Sequence, residues 1–197
     1  MHTNDWLQLA LFIGLLALIT KPLGIYLTKV LDPDGKTWLD PLARPVERVS
    51  YQLMGVNPSK EQGWKSYTIA MLAFSAVGVL FTYAILRLQH LLPLNPQGLP
   101  GLAPALAFNT AVSFTTNTNW QSYGGETTLS YFSQMVGLTV QNFVSAATGM
   151  AVVVPLARAF GRAKATTVGN FWVDLTRVTL YVLLPLAIVV AFALIAF

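Results

Sequence analysis

The sequence predicts an all-α integral membrane protein: a helix–pore loop–helix unit preceded by one spanning helix and followed by another, about four transmembrane helices plus one re-entrant pore helix. Three observations carry this expectation. The 197 residues are 54% hydrophobic and 10% charged, with mean hydropathy +0.57, where a soluble domain has roughly a quarter charged residues. Four segments approach the ~20 mostly apolar residues a helix needs to cross a hydrocarbon core. Between two of them lies a polar stretch, residues 108–126, FNTAVSFTTNTNWQSYGGE, uncharged up to Glu126.

The leading span covers about 6–27. A secretory leader would need a basic start, but only His2 and Asp5 precede the apolar run, and the first cation, Lys21, lies at its far end. The connection 28–66 is polar, with turn signals in LDPDG and NPSKEQG, and 41–56 reads as a short surface helix. Asp32, Asp34, Asp40 and Glu47 have no histidine or phosphate cradle nearby, so the segment reads as a solvated connection, not a catalytic site.

The second span covers about 67–86 and the third about 128–156, together bracketing the polar stretch in a unit 67–157. Within that unit, 103–114 is helical in composition but too short to span, which suits a re-entrant pore helix; Pro104 fits its first turn, where a missing N–H is harmless. A connection 158–171 leads to the last span, 172–197.

Basic residues set the orientation. Lys21, Lys29, Lys36, Arg44, Arg48, Lys60 and Lys65 accompany the first connection, and Arg158, Arg162 and Lys164 the last, whereas only Arg87 precedes the pore helix. Both basic connections are therefore expected in the cytoplasm, with the N-terminus and the pore loop outside. The formal charge of +4 and pI near 9.5 report this orientation and not nucleic-acid binding. Without cysteine there is no disulfide framework, thiolate metal site or cysteine nucleophile. No phosphate-binding GxxxxGK[ST] loop and no DKTGT motif occurs, so ATP hydrolysis is not expected on this chain.

Irregular backbone survives at membrane depth only where it is buried in protein or lines a water-filled cavity. A dehydrated cation needs oxygen ligands, and rings of main-chain carbonyls supply them without fixed charge. Thr116, Asn117, Thr118 and Asn119 suit this, because small polar side chains brace extended backbone and Asn tolerates unusual dihedrals. The C-terminal end of the pore helix would favour a cation by roughly 0.3–1 kcal/mol or more. Glu126, the sole charge between Arg87 and Arg158, would add to that field. Two other readings stay open: a structural polar loop, with Trp120 and Tyr123 as interface aromatics, and a pathway for an organic solute. The chemistry does not name the ion.

Gln134, Gln141 and Asn142 fall on the third span, the two glutamines seven apart and hence on one face of an α-helix; they are candidates for lining the pathway or for interhelical hydrogen bonds. Gly137 and Gly149 suit close packing or bending. Asp174 and Arg177, three apart, are expected to pair with each other. His90 is a lone exterior residue without metal-ligand spacing.

The run NTAVSFTTNTNWQSYGGETTLSYFSQMVGLTVQNFVSAATGMAV resembles the first pore-loop region of the potassium-binding subunit family of bacterial Kdp potassium-importing ATPases (KdpA), and the likeness extends to KPLG at 21–24, H-x-LPLNPQ-x-LPGL at 90–102 and GN-x-WVDL at 169–175. The resemblance implies a member of the potassium transporter superfamily, in which four helix–pore loop–helix repeats form one pseudo-fourfold filter. This chain would supply the leading helix, one repeat and the first helix of the next. By position in the motif, Asn117, Thr118 and Asn119 line the filter, with Thr116 and Gln121 at its margins, and the bound ion is potassium, with no organic cofactor. By the same resemblance, Asn119 stands at the innermost filter position, where other filter loops of the superfamily often carry Gly. The implied partners are a catalytic P-type ATPase subunit, small accessory membrane subunits and the lipid of a bacterial inner membrane, with no nucleic acid. One loop cannot surround an ion, so the resemblance implies a truncated product or fragment of a longer subunit. The alternative is a non-conducting membrane scaffold or assembly subunit.

Overall fold

The computed structural model describes residues 3–32, 34–161 and 166–196. His2, Pro33 of the LDPDG turn, Phe197, and Arg162 and Lys164 among the orienting cations lie outside the described residues. The helices are α1 (Thr3–Leu31), α2 (Asp40–Met54), α3 (Trp64–Leu88), α4 (Pro104–Thr115), the single turn α5 (Gly125–Thr128), α6 (Val140–Gly161), α7 (Phe171–Arg177) and α8 (Leu184–Ala196). Wider π-type turns at Ser133–Thr139 and Val178–Leu183 lead into α6 and α8, making continuous rods. No strand occurs among the described residues, only one bridge between Gln62 and Gly169.

Among the described residues, four helices are long and apolar enough to cross a membrane: Asn4–Leu31, Trp64–Leu91, Ser133–Phe160 and Phe171–Ala196. The chain is thus a multi-pass membrane protein. Its core is small. Leu86, Leu102, Ala107, Phe114, Leu129 and Leu138 pack α3, α4 and the third span together at one end. At the other end, Tyr67, Ala147, Ala151, Phe171, Leu175 and Val178 join α3, α6 and α7. The α1 rod contributes only its last turns, around Val30, to a third cluster with α2 and Tyr181.

The two basic connections meet at the same end. Gln62 donates its N–H to the Gly169 carbonyl at 2.6 Å and accepts from the Val168 N–H at 2.9 Å, while its side-chain oxygen accepts from the Phe171 N–H at 2.9 Å. The Asn170 amide donates to the Lys60 carbonyl at 3.0 Å, and its oxygen caps α7 by accepting from the Trp172 N–H.

Asp174 and Arg177 do not pair with each other. Asp174, 1% exposed, receives both Arg158 nitrogens at 2.7 and 2.8 Å and the Tyr67 hydroxyl at 3.0 Å. The same guanidinium donates to the carbonyls of Leu31 and Val168 at 2.9 and 3.1 Å. A neighbouring i,i+3 cation offers one partly exposed contact, whereas the fork of Arg158 satisfies a buried carboxylate at both oxygens. Gly169, at φ +110°, makes room for that fork: a Cβ there would lie 2.0 Å from an Arg158 nitrogen.

Arg177 turns instead to Glu47, at 2.9 Å, and to the carbonyls of Val30 and Asp32. Glu47 is therefore not solvated, as the sequence suggests, but 6% exposed, and it also accepts from the hydroxyls of Tyr51 and Tyr181 at 2.6 and 3.1 Å. Burial, reinforced by that carboxylate, pushes the Tyr51 phenol above its ordinary range.

Candidate functional site

The α4 helix lies between α3 and α6 and buries Ala107, Thr110, Ala111, Ser113, Phe114 and Thr115. Pro104 begins it, and its small residues allow close approach to α3. Beyond Thr115 the chain doubles back over the end of the helix. The N–H groups of Thr116, Asn117, Thr118 and Asn119 donate to Val112, Phe114, Ser113 and Ser113 carbonyls at 2.9, 3.3, 2.9 and 3.2 Å. Orphan carbonyls of the last turn are thereby satisfied by the loop itself.

Asn117 and Asn119 have φ of +58° and +57°, while Thr116, at −84°, and Thr118 do not enter the left-handed region. Alternation of hand over consecutive residues coils the loop tightly. Among the described residues no hydrogen bond ends on the main-chain carbonyls of residues 116–119, and all four residues are exposed. The loop thus spends its donors on the helix and keeps its acceptors open.

Side chains hold this shape. The Ser113 hydroxyl accepts from the Trp120 N–H at 2.7 Å and donates to the Trp120 carbonyl at 3.1 Å, closing the loop at its far end. The Thr116 and Thr118 hydroxyls meet at 3.0 Å, and the Asn119 amide donates to the Asn117 side-chain oxygen at 3.2 Å. Ser145 on α6 reaches the same oxygen at 3.4 Å.

Gln121 is exposed and lines a cavity of about 390 Å³ together with Tyr123, Glu126, Gln134, Thr139 and Asn142. Two of the three amides predicted on the third span therefore flank the loop, and one does not. Gln141 is buried against α3, where a Cβ on Gly78 would lie 3.0 Å from its amide nitrogen. Gln134 and Gln141 are not on one face, because Ser133–Thr139 winds with i→i+5 bonds and rotates the residues beyond it. Gln134 also donates to the Leu129 carbonyl at 3.1 Å, pinning the return of the loop. Gly137 packs closely against Ile85, while a Cβ on Gly149 would meet open space. His90 is exposed in a short 3-10 turn.

Sequence reasoning missed Ser113, Ser145 and Gln89. The Gln89 side chain is fully buried; its nitrogen donates to the Pro100 and Thr128 carbonyls at 2.5 and 2.9 Å, and its oxygen accepts from the Ser130 N–H and Ser133 hydroxyl at 3.1 and 3.0 Å. One amide thus ties the segment entering α4 to the segment leaving the loop. Its only sequence signal is a polar residue at the end of an apolar span.

Four apolar rods among the described residues, with a short helix and a coiled polar loop between the second and third, define a multi-pass membrane protein built on a helix–loop–helix unit. Residues 10–197 match the family described as potassium-transporting ATPase A subunit (KdpA), and the chain belongs to that family. Among its relatives is a protein of Caulobacter vibrioides named potassium-transporting ATPase potassium-binding subunit, 59% identical over 196 residues, which are 100% of this chain and 34% of the relative. Proteins of the same name from Allorhizobium ampelinum and Pseudomonas entomophila are 56% and 57% identical, covering 97% and 99% of this chain and 33% and 34% of their own lengths. The chain spans about a third of the length of these relatives.

Proposed function

We propose that residues 116–121 form one quarter of a potassium selectivity filter, entered from the extracytoplasmic side, in the ion-binding subunit of an ATP-driven potassium importer. The carrying observation is the loop in which Asn117 and Asn119 are left-handed, every N–H of 116–119 is bound to the end of α4, and the four carbonyls accept no hydrogen bond from the described residues. Main-chain carbonyls of Asn117, Thr118 and Asn119 are the ligands, Thr116 and Gln121 flank them, and α4 is the re-entrant helix whose C-terminal end favours the cation. Gln134 and Asn142 border the pathway, and Gln141 braces α3 against α6. Potassium is the transported ion, and no organic cofactor takes part.

The name the relatives carry supports potassium as the ion and a P-type ATPase complex as the setting. Hydrolysis then belongs to a separate catalytic subunit, with small accessory subunits completing the complex. The chain divides accordingly into a leading span 1–27, a cytoplasmic connection 28–66, a first repeat 67–157, a cytoplasmic loop 158–171 and the first helix of the next repeat from 172. The junction of both basic connections at one end fits a shared side, which their Lys and Arg content makes the cytoplasmic one, so that the N-terminus lies outside a bacterial inner membrane. A non-conducting scaffold is not favoured, since the relatives are named for binding potassium.

The test is K⁺ and Na⁺ uptake by the assembled complex with the native loop, Asn119→Gly and Asn119→Leu, with complex yield measured in parallel. Gly adopts a positive φ freely and Leu does not. With yield intact, a filter keeps its K⁺ preference in the Gly variant and loses it in the Leu variant. Unchanged uptake in both would make the segment a structural plug.

A further inference from the structure

We infer that α2 is an interfacial helix whose partner is the bilayer surface itself, its outer apolar face immersed where headgroups meet acyl chains. The helix carries three distinct sectors. Ala43, Glu47 and Tyr51, four residues apart, are buried against the rest of the protein. Leu42, Val46, Val49 and Leu53, spaced i, i+4, i+7 and i+11, form a second stripe and are 76%, 49%, 54% and 83% exposed. Arg44, Arg48 and Gln52 occupy the remaining arc and are also exposed.

The partners of α2 fix its depth. From Val178 to Ala196 the last span carries no charged side chain, about 28 Å of helix at 1.5 Å per residue, close to a whole hydrocarbon core. Arg177 therefore marks the level at which that span leaves the hydrocarbon. Glu47 of α2 is bonded to Arg177, and Leu39 and Ala43 pack on Val30, Tyr181 and Val182. The helix is thereby held at the membrane boundary, against the ends of two spans.

At that boundary a water-facing stripe of four large apolar residues is unfavourable, and a lipid-facing one is not. The flanking chemistry fits lipid. Trp38 and Trp64, exposed at 76% and 65%, stand just before α2 and at the start of α3, and indoles concentrate at headgroup level. Arg48 lies on the arc next to the apolar stripe, where a long stem lets its charged head reach phosphates while its methylenes stay in the apolar layer; Arg44, farther round the helix, is paired with Asp40 at 2.7 Å. Large apolar side chains are also exposed along α1, from Leu7 to Ile25, and along α8, at Leu184, Leu186, Ile188 and Ile195.

The chain has no cysteine, so nitroxide labels can be placed singly at positions 42, 46, 53 and 48 in the assembled, reconstituted complex, any cysteine elsewhere in it being replaced first. Oxygen partitions into lipid and a nickel chelate into water. Labels at 42, 46 and 53 are expected to favour oxygen several-fold over the label at 48, which should collide with the chelate. Free collision of the first three labels with the chelate would place the stripe in water and overturn the inference. Protection of those labels from both reagents would overturn it too, because the stripe would then be covered by protein.

Discussion

Asn117 and Asn119 sit where the backbone runs left-handed, a conformation that costs an ordinary side chain about 1–2 kcal/mol. Asn lowers that cost, and here each side chain also bonds the other. Asn117→Ala should therefore weaken K⁺ uptake more than Asn117→Gly, even though Gly removes more of the side chain; apparent K⁺ affinity of the reconstituted complex is the measurement. Ser113 is a positioning residue of the same loop. Ser113→Ala leaves the Trp120 N–H and carbonyl without their partner, a cost of about 1–3 kcal/mol if water does not replace it. The expected result is a complex that assembles normally but discriminates less between K⁺ and Na⁺. A complex with unchanged discrimination would assign Ser113 to stability alone. The polar run was legible as a candidate lining from its Thr and Asn content, but the role of Ser113 was not, since a serine in the last turn of a helix looks the same whether or not it closes a loop.

At the scale of elements, α3, α6 and α7 are joined by one desolvated cluster: Tyr67, Arg158 and Asp174, with Gly169 opening the space they occupy. Removing one partner of a buried pair leaves an uncompensated charge and costs about 3–5 kcal/mol, whereas removing both is far milder. Asp174→Leu alone should lower the thermal unfolding temperature of the solubilised protein sharply, and Arg158→Leu with Asp174→Leu should recover much of the loss. Additive losses would show that the pair contributes little as a pair. Gly169→Ala should resemble the single variant, because its Cβ would displace the guanidinium. The helices themselves were readable from apolar run length, which the bilayer thickness sets. The pairing was not: i,i+3 spacing pointed Asp174 at Arg177, while a chain position sixteen residues earlier and another in α2 supplied the actual partners.

On the scale of the whole molecule, the filter reading implies that the function belongs to an assembly larger than this chain. A single loop presents carbonyls to one side of an ion, and dehydration requires them all round. These 197 residues in a nanodisc should accordingly show no high-affinity K⁺ binding by calorimetry, where the complete subunit should; tight binding by the shorter chain would refute the ring of loops. The exposed exterior of α1, with none of its membrane window buried, agrees with a surface that meets lipid or further helices.

Run length, the placement of Lys and Arg, and the uncharged Thr and Asn stretch determined from sequence alone that the chain crosses a membrane several times and carries a polar loop between two spans. These are local properties, set by the thickness of the solvent and the cost of unsatisfied backbone within it. Only the tertiary structure decided which carboxylate met which cation, that Gln141 turns to Gly78 while Gln134 turns to the loop, and that the loop's donors fold onto Ser113. Those outcomes depend on distances between residues far apart in the chain and on π-type turns that break α-helical periodicity, and neither is encoded in spacing along one helix.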